Sequence, residues 1–149
     1  MCFYWGIACI VAMTQLGEIT SMSVGETALA GYRWENRLLL VFAPDVDRTL
    51  YLRQQEMLSD AKPGLNERDV VIISVLKDIV STKERLAAPV SADDLRDAYD
   101  VLPHEFRVVL IGKDGGVKLR QDAPILAADL FGLIDSMPMR QQEIGRRPG

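Results

Sequence analysis

Apolar residues in this chain gather into short unbroken runs, separated by stretches patterned for helices or turns. The first run inside the folded part, Leu38-Leu39-Leu40-Val41-Phe42-Ala43, follows Arg37, stops at Pro44 and shows no polar alternation. Such a run is buried on both faces, as in a parallel sheet covered by helices. Asp45 or Asp47 can cap a following helix over roughly 48–59, with Leu50, Met57 and Leu58 near one face, and Lys62-Pro63-Gly64 breaks it. The β-branched run Val70-Val71-Ile72-Ile73-Ser74-Val75-Leu76 predicts a second buried strand. Residues 77–89 are charged and weakly patterned, which predicts loop. Ser91 with Asp94 forms a capping-box pair ahead of the stripe Leu95, Ala98, Tyr99 and Leu102, and Pro103 ends that helix.

The last third predicts a strand over 106–112, a turn at Asp114-Gly115, and a second strand Val117-Lys118-Leu119-Arg120. Asp-Gly between two strand-like runs is a hairpin signal, because glycine takes the positive φ of such turns. The alternation of apolar and basic residues in the second strand predicts an edge with one wet face. Pro124 suits the first turn of a closing helix over 125–136, with Leu126, Leu130, Leu133, Ile134 and Met137 as its apolar stripe and Pro138 as its stop. The order β-α-β-α-β-β-α has few right-handed assemblies. We expect an α/β fold of three layers, α/β/α, thioredoxin-like, with a parallel βαβ start and a C-terminal hairpin plus helix.

The amino-terminal segment differs in kind. Residues 2–13 are continuously apolar and uncharged, too few for a helix to span a bilayer, which takes about 20 residues. Their length suits the core of a secretory signal, but the usual basic start is missing. Either the start lies inside a longer signal or the segment is an artefact of start-codon choice. Residues 14–31 show no sustained period and read as linker. The expected organisation is therefore leader and linker over 1–31, one domain over 32–143 and a disordered tail over 144–149. Export to the periplasm or the outside follows if the leader is a signal, and no stable membrane span is expected.

Composition removes several functions. The 149 residues hold 48% apolar and 26% charged positions, ordinary for one globular domain. A net charge of −4, with basic residues dispersed among acids, lacks the clustered positive face that nucleic acid requires. A redox-active thioredoxin needs Cys-x-x-Cys where its first helix begins, so that the helix end lowers the thiol pKa. The corresponding positions read Asp45-Val46-Asp47-Arg48, and the two cysteines, Cys2 and Cys9, lie in the leader. His104 is the sole histidine, with no cysteine neighbours to complete a zinc site. Gly112-Lys113-Asp114-Gly115-Gly116 lacks the Gly-Lys-Ser/Thr ending of a phosphate loop and leads into a strand. No catalytic residue, cofactor or metal is expected. Arg37, Glu67-Arg68-Asp69 and Arg140 stand out because charges beside buried strands either pair structurally or meet a ligand.

Four segments occur in order: Trp34-Glu35-Asn36-Arg37 running into the first strand, Glu67-Arg68-Asp69, Gly112-Lys113-Asp114-Gly115-Gly116, and Asp135-Ser136-Met137-Pro138-Met139-Arg140. Together they resemble the family called domain of unknown function 4174, over about residues 32–143. The resemblance implies a thioredoxin-like fold without the redox motif, in exported bacterial proteins. It also implies kinship with repeats in vertebrate secreted matrix and sushi-repeat proteins. No catalytic residues come with it.

The expected function is a non-catalytic extracytoplasmic module that binds or assembles with a protein partner. Its surface is expected around Met137-Pro138-Met139-Arg140, where methionines beside an arginine make an adaptable patch. The alternative is a small-ligand protein or enzyme with its site at the carboxyl ends of the parallel strands, near Pro44-Asp45 and Pro103-His104. Arg37, Asp45, His104 and Arg140 are the ligand or partner candidates. A redox role using a partner's thiols ranks last.

Overall fold

The computed structural model describes residues 22–44, 47–82, 86 and 89–147. Asp45, the leader and both cysteines lie outside them. Five strands form one sheet: β1 (Arg37–Phe42), β2 (Val70–Val75), β3 (Val80–Thr82), β4 (Arg107–Ile111) and β5 (Val117–Gln121), in the order β3-β2-β1-β4-β5. β1 runs parallel to β2 in the register Arg37↔Val70 to Phe42↔Val75, and antiparallel to β4 from Leu38↔Ile111 to Phe42↔Arg107. The central position of β1 explains its unbroken apolar run, since every residue from Arg37 to Phe42 is buried.

Alternation along β1 sends its side chains into two separate cores. Leu38, Leu40 and Phe42 join Ile73, Val75, Val109 and Ile111 under α1 (Val24–Leu29) and α4 (Ala92–Ala98). Leu39 and Val41 join Val108 and Leu110 under α2 (Thr49–Ser59), α3 (Lys62–Glu67) and α5 (Ala127–Asp135). Three layers, α/β/α, result. Buried Gln54 of α2 ties the second core shut, donating to the Ile125 carbonyl at 3.0 Å and accepting from the Ile125 amide at 2.7 Å.

Local chemistry explains the predicted boundaries. Asp47 accepts from the Thr49 amide at 2.9 Å just ahead of α2, although the N-cap position itself is Arg48 rather than Asp45 or Asp47. Ser91 and Asp94 form the reciprocal capping box of α4. Gly115, at φ 83°, makes the β4–β5 turn, and β5 is a half-exposed edge.

Several expectations give way. Residues 24–29, read as linker, form α1 behind a second capping box, Ser23 with Glu26. α1 packs tightly on α4: a Cβ at Gly25 would lie 2.6 Å from the Asp94 carbonyl oxygen. α2 ends at Ser59, as expected, but Lys62-Pro63-Gly64, expected only to break it, opens α3 with proline in the first turn. Val80–Thr82, read as loop, pairs with β2. Asp100 at φ 52°, rather than Pro103, ends α4, and Leu102 is exposed. The closing helix α5 starts at Ala127 after Leu126, beyond the turn that Pro124 was expected to open. Pro138 does stop α5, but it also starts α6 (Pro138–Arg146), which carries regular structure into the expected tail.

Candidate functional site

Because β1 and β2 are parallel, Arg37 at the head of one and Glu67-Arg68-Asp69 before the other arrive at the same end of the sheet. β4 runs the opposite way, so Lys113 just beyond it arrives there too. α5 ends there with Asp135, and the turn of α6 adds Arg140 and Glu143, three residues apart on one helical face.

Buried Arg37 meets both Glu143 oxygens at 3.3 Å and donates to the Arg68 carbonyl at 2.9 Å. Lys113 reaches Glu143 and Asp69, each at 2.8 Å. Buried Arg140 bonds Glu67 at 2.8 Å, Asp135 at 3.1 Å and the Glu67 carbonyl at 3.2 Å. Arg68 forks onto Asp135 at 2.9 and 2.6 Å, donates to the Gly64 carbonyl, and lies 4.3 Å above the Phe131 ring. Arg147 closes the rim on Glu67 at 3.2 Å. Five cations and four carboxylates thus interlock β1, β2, β4, α3, α5 and α6. Arg37 Nε alone in this group is buried without a hydrogen-bond partner.

The network shifts the titration of Asp135, Glu143 and Arg140. The Arg68 guanidinium, with help from Arg140, holds the Asp135 carboxyl below its ordinary value despite partial burial. Burial pushes Glu143 up, but its bonds to Lys113 and Arg37 outweigh that, and the net shift is downward. For Arg140 burial favours the neutral form, and Asp135, Glu67 and Glu143 together reverse it, so its pKa rises. Asp135 and Glu143, their carboxyls both held below the ordinary value, stay ionised at neutral pH. Their chemistry is to hold positive charge in place.

Two strained residues meet at Lys113. Asp69, at φ 51°, gives its carboxylate to the Lys113 ammonium and its carbonyl to the Arg37 amide at 2.8 Å. Trp34, at φ 71°, donates its amide to the Lys113 carbonyl at 2.6 Å. A left-handed backbone is rare for a bulky side chain and persists only where the surroundings enforce it. The Trp34 side chain is nevertheless 65% exposed.

Of the four candidates from sequence, Arg37 and Arg140 come together through Glu143. Arg140 is turned inward, so the contact patch expected around it does not include its guanidinium. Met137 packs against the second core. His104 stands exposed at the opposite end of the sheet, with no hydrogen bond or ion pair among the described residues, and Asp45 lies outside them. Sequence reasoning missed Glu143 and saw Lys113 only as a hairpin residue. The i,i+3 spacing of Arg140 and Glu143 was the available signal, hidden by reading Pro138 as a stop. It also missed Arg96, buried at the carboxyl ends of the parallel strands, where it donates to the Lys77 carbonyl at 3.0 Å and the Ala43 carbonyl at 3.4 Å. Among the described residues, no group of three or more metal-ligating side chains could hold an ion, and no helix is long and apolar enough to cross a membrane.

Solved structures share the fold. Thioredoxin peroxidase I of Plasmodium yoelii superposes with a TM-score of 0.57 at 18% identity, over 81% of this chain and 86% of that one. The reduced 2-Cys peroxiredoxin of Plasmodium vivax gives 0.56 at 18%, over 76% and 72%. The fold is thioredoxin-like. Among curated relatives, zebrafish (Danio rerio) coiled-coil domain-containing protein 80 is 29% identical over 136 residues, covering 80% of this chain and 16% of that protein. Human (Homo sapiens) sushi repeat-containing protein SRPX is 31% identical over 114 residues, covering 74% and 25%. The chain thus matches a quarter or less of the length of these relatives. The family model described as "Domain of unknown function (DUF4174)" matches residues 28–143, a span that holds the network from Arg37 to Glu143, and the chain belongs to that family.

Proposed function

We propose that this chain is a non-catalytic binding or assembly module that works outside the cytoplasm, in the periplasm or beyond, and recognises a protein partner. One observation carries the reading. Arg37, Glu67, Arg68, Asp69, Lys113, Asp135 and Arg140 of the four motif segments are held in one charge network, while the Lys113 carbonyl of the same network holds Trp34 in a strained backbone with its side chain mostly in solvent. Strain maintained around an exposed aromatic suits an anchor for a partner, since tryptophan dominates binding hot spots. The partial coverage of larger relatives supports a modular role. The apolar leader and the family resemblance support export.

The test compares the tagged full chain with its Trp34→Ala variant in cross-linking from the native envelope and medium. The reading expects one partner species that is lost in the variant, with the melting temperature changed by only a few degrees. It also expects no turnover of peroxide or disulfide when Cys2 and Cys9 are replaced by serine. Turnover in that variant, or unchanged capture by Trp34→Ala, would overturn it.

A second reading, a small-ligand site at the carboxyl ends of the strands with Asp45 and His104, is favoured by one feature. Arg96 Nε is buried there without a hydrogen-bond partner, and its ion pair with exposed Asp93 is long, at 3.7 Å. Movement of the Arg96 Nε resonance on addition of phosphate would support that reading, and a resonance that stays put would count against it.

A further inference from the structure

A cleft of about 310 Å³ opens between α2 and α3 on one side and the β2–β3 half of the sheet on the other. The volume is at the lower end of the range for small-molecule sites. Its position follows from the layer arrangement. Along β2, residues 70, 72 and 74 face the same side of the sheet as Leu39 and Val41, where the second core lies. Leu58 and Leu65 reach the cleft from the helices and Ile72 from the strand, giving it apolar walls.

Polar groups with unused bonding capacity converge on these walls. Ser74 interrupts the apolar series of β2, is only 6% exposed, and receives a single long hydrogen bond, 3.5 Å from Gln55 Nε2. Its hydroxyl proton has no acceptor among the described residues, and neither does the Gln55 side-chain carbonyl have a donor. Gln54, the adjacent residue, has both ends of its amide satisfied by Ile125, so the contrast does not come from loose packing of α2. At the rim stands Lys62, exposed and in no ion pair or hydrogen bond among the described residues, although most basic groups nearby are committed to the charge network.

We propose that this cleft binds a small amphiphilic carboxylate, with its apolar body against Leu58, Leu65 and Ile72 and its carboxylate toward Lys62. Ser74 donates a hydrogen bond to the ligand. A buried hydroxyl without an acceptor carries a desolvation penalty that such a ligand removes, and a free ammonium at the mouth selects for negative charge. A neutral amphiphile of the same length loses the second interaction and keeps the first. The site lies apart from Trp34 and is independent of the partner reading, so either can fail alone.

The experiment titrates the full chain with sodium octanoate and with 1-octanol, following backbone amide and Lys62 side-chain resonances by NMR. Octanoate is expected to saturate shifts at Gln55, Lys62 and Ser74, with octanol binding about tenfold more weakly. The Lys62→Ala variant, altered only at an exposed position, is expected to bind the two probes equally. Ile72→Trp, which fills the cleft, is expected to abolish both titrations while its own amide resonances outside the cleft stay where they are in the unmodified chain. Equal binding of both probes to the unmodified chain would overturn the carboxylate assignment. Absence of saturable shifts in the cleft, or shifts centred elsewhere, would overturn the site.

Discussion

Arg140 illustrates how much one side chain can depend on partners distant in sequence. It is 1% exposed, and its guanidinium is satisfied by Glu67, Asp135 and Glu143 together. Removing one side of a buried ion network leaves its other charges uncompensated, which costs about 3–5 kcal/mol. Here the acids reach solvent at 49%, 34% and 25%, so Arg140→Met is expected near the low end, about 3 kcal/mol. Arg147, itself 54% exposed on the same Glu67, is the internal control: Arg147→Ala should cost less than about 1 kcal/mol. Urea denaturation of the two variants checks the contrast, and equal losses would mean that burial does not set the worth of these pairs. The individual charges of the network were largely legible in the sequence, because Arg37, Glu67-Arg68-Asp69 and Arg140 each sit beside a run too apolar to leave them idle. Their convergence was not. Arg37 and Glu143 are 106 residues apart, and no local pattern links them until the direction of each strand is known.

Among the elements, legibility followed burial and length. β1, β2 and β4 announce themselves because both their faces are covered and apolar residues fill every position but one in each strand, Arg37, Ser74 and Arg107. α1, α3 and β3 run for six, six and three residues, too short to show a period, and they are held by contacts with α4, α5 and β2 rather than by their own propensity. Proline misled at Lys62-Pro63-Gly64 and at Pro138 for one reason: a residue that ends a helix also fits the first turn of the next. α4 supplies the test at this scale. It is seven residues long and depends on its Ser91 cap, so Ser91→Ala should destabilise the domain by about 1 kcal/mol. Hydrogen exchange should quicken first in α4 and in α1, which packs on it through Gly25. Uniform quickening across the sheet would show that the α1–α4 layer does not open as a separate unit.

At the scale of the whole molecule, the charge network and the first core should limit stability at opposite ends of the pH range. Asp135 and Glu143 both have folded-state pKa values below their ordinary 3.8 and 4.5. The unfolded chain therefore takes up protons first as pH falls, and the stability these groups supply at neutral pH is lost progressively below about pH 5. Tyr99 works in the other direction. Burial in the first core, with the Glu26 charge adding to it and Arg120 opposing it, pushes the phenol from 10.0 to about 12. Its neutral form is favoured in the fold, so its contribution is complete below pH 10 and disappears as pH rises from 10 toward 12. Urea denaturation across this range should trace a plateau with two falling limbs. Asp135→Asn should lower the plateau and flatten the acid limb, and leave the alkaline limb in place. Tyr99→Phe should flatten the alkaline limb alone, because the phenylalanine ring keeps the apolar contacts and has no proton to lose. If Asp135→Asn shifts the acid limb downward without changing its slope, the network is not what titrates, and the lock at the amino ends of β1 and β2 contributes packing rather than charge.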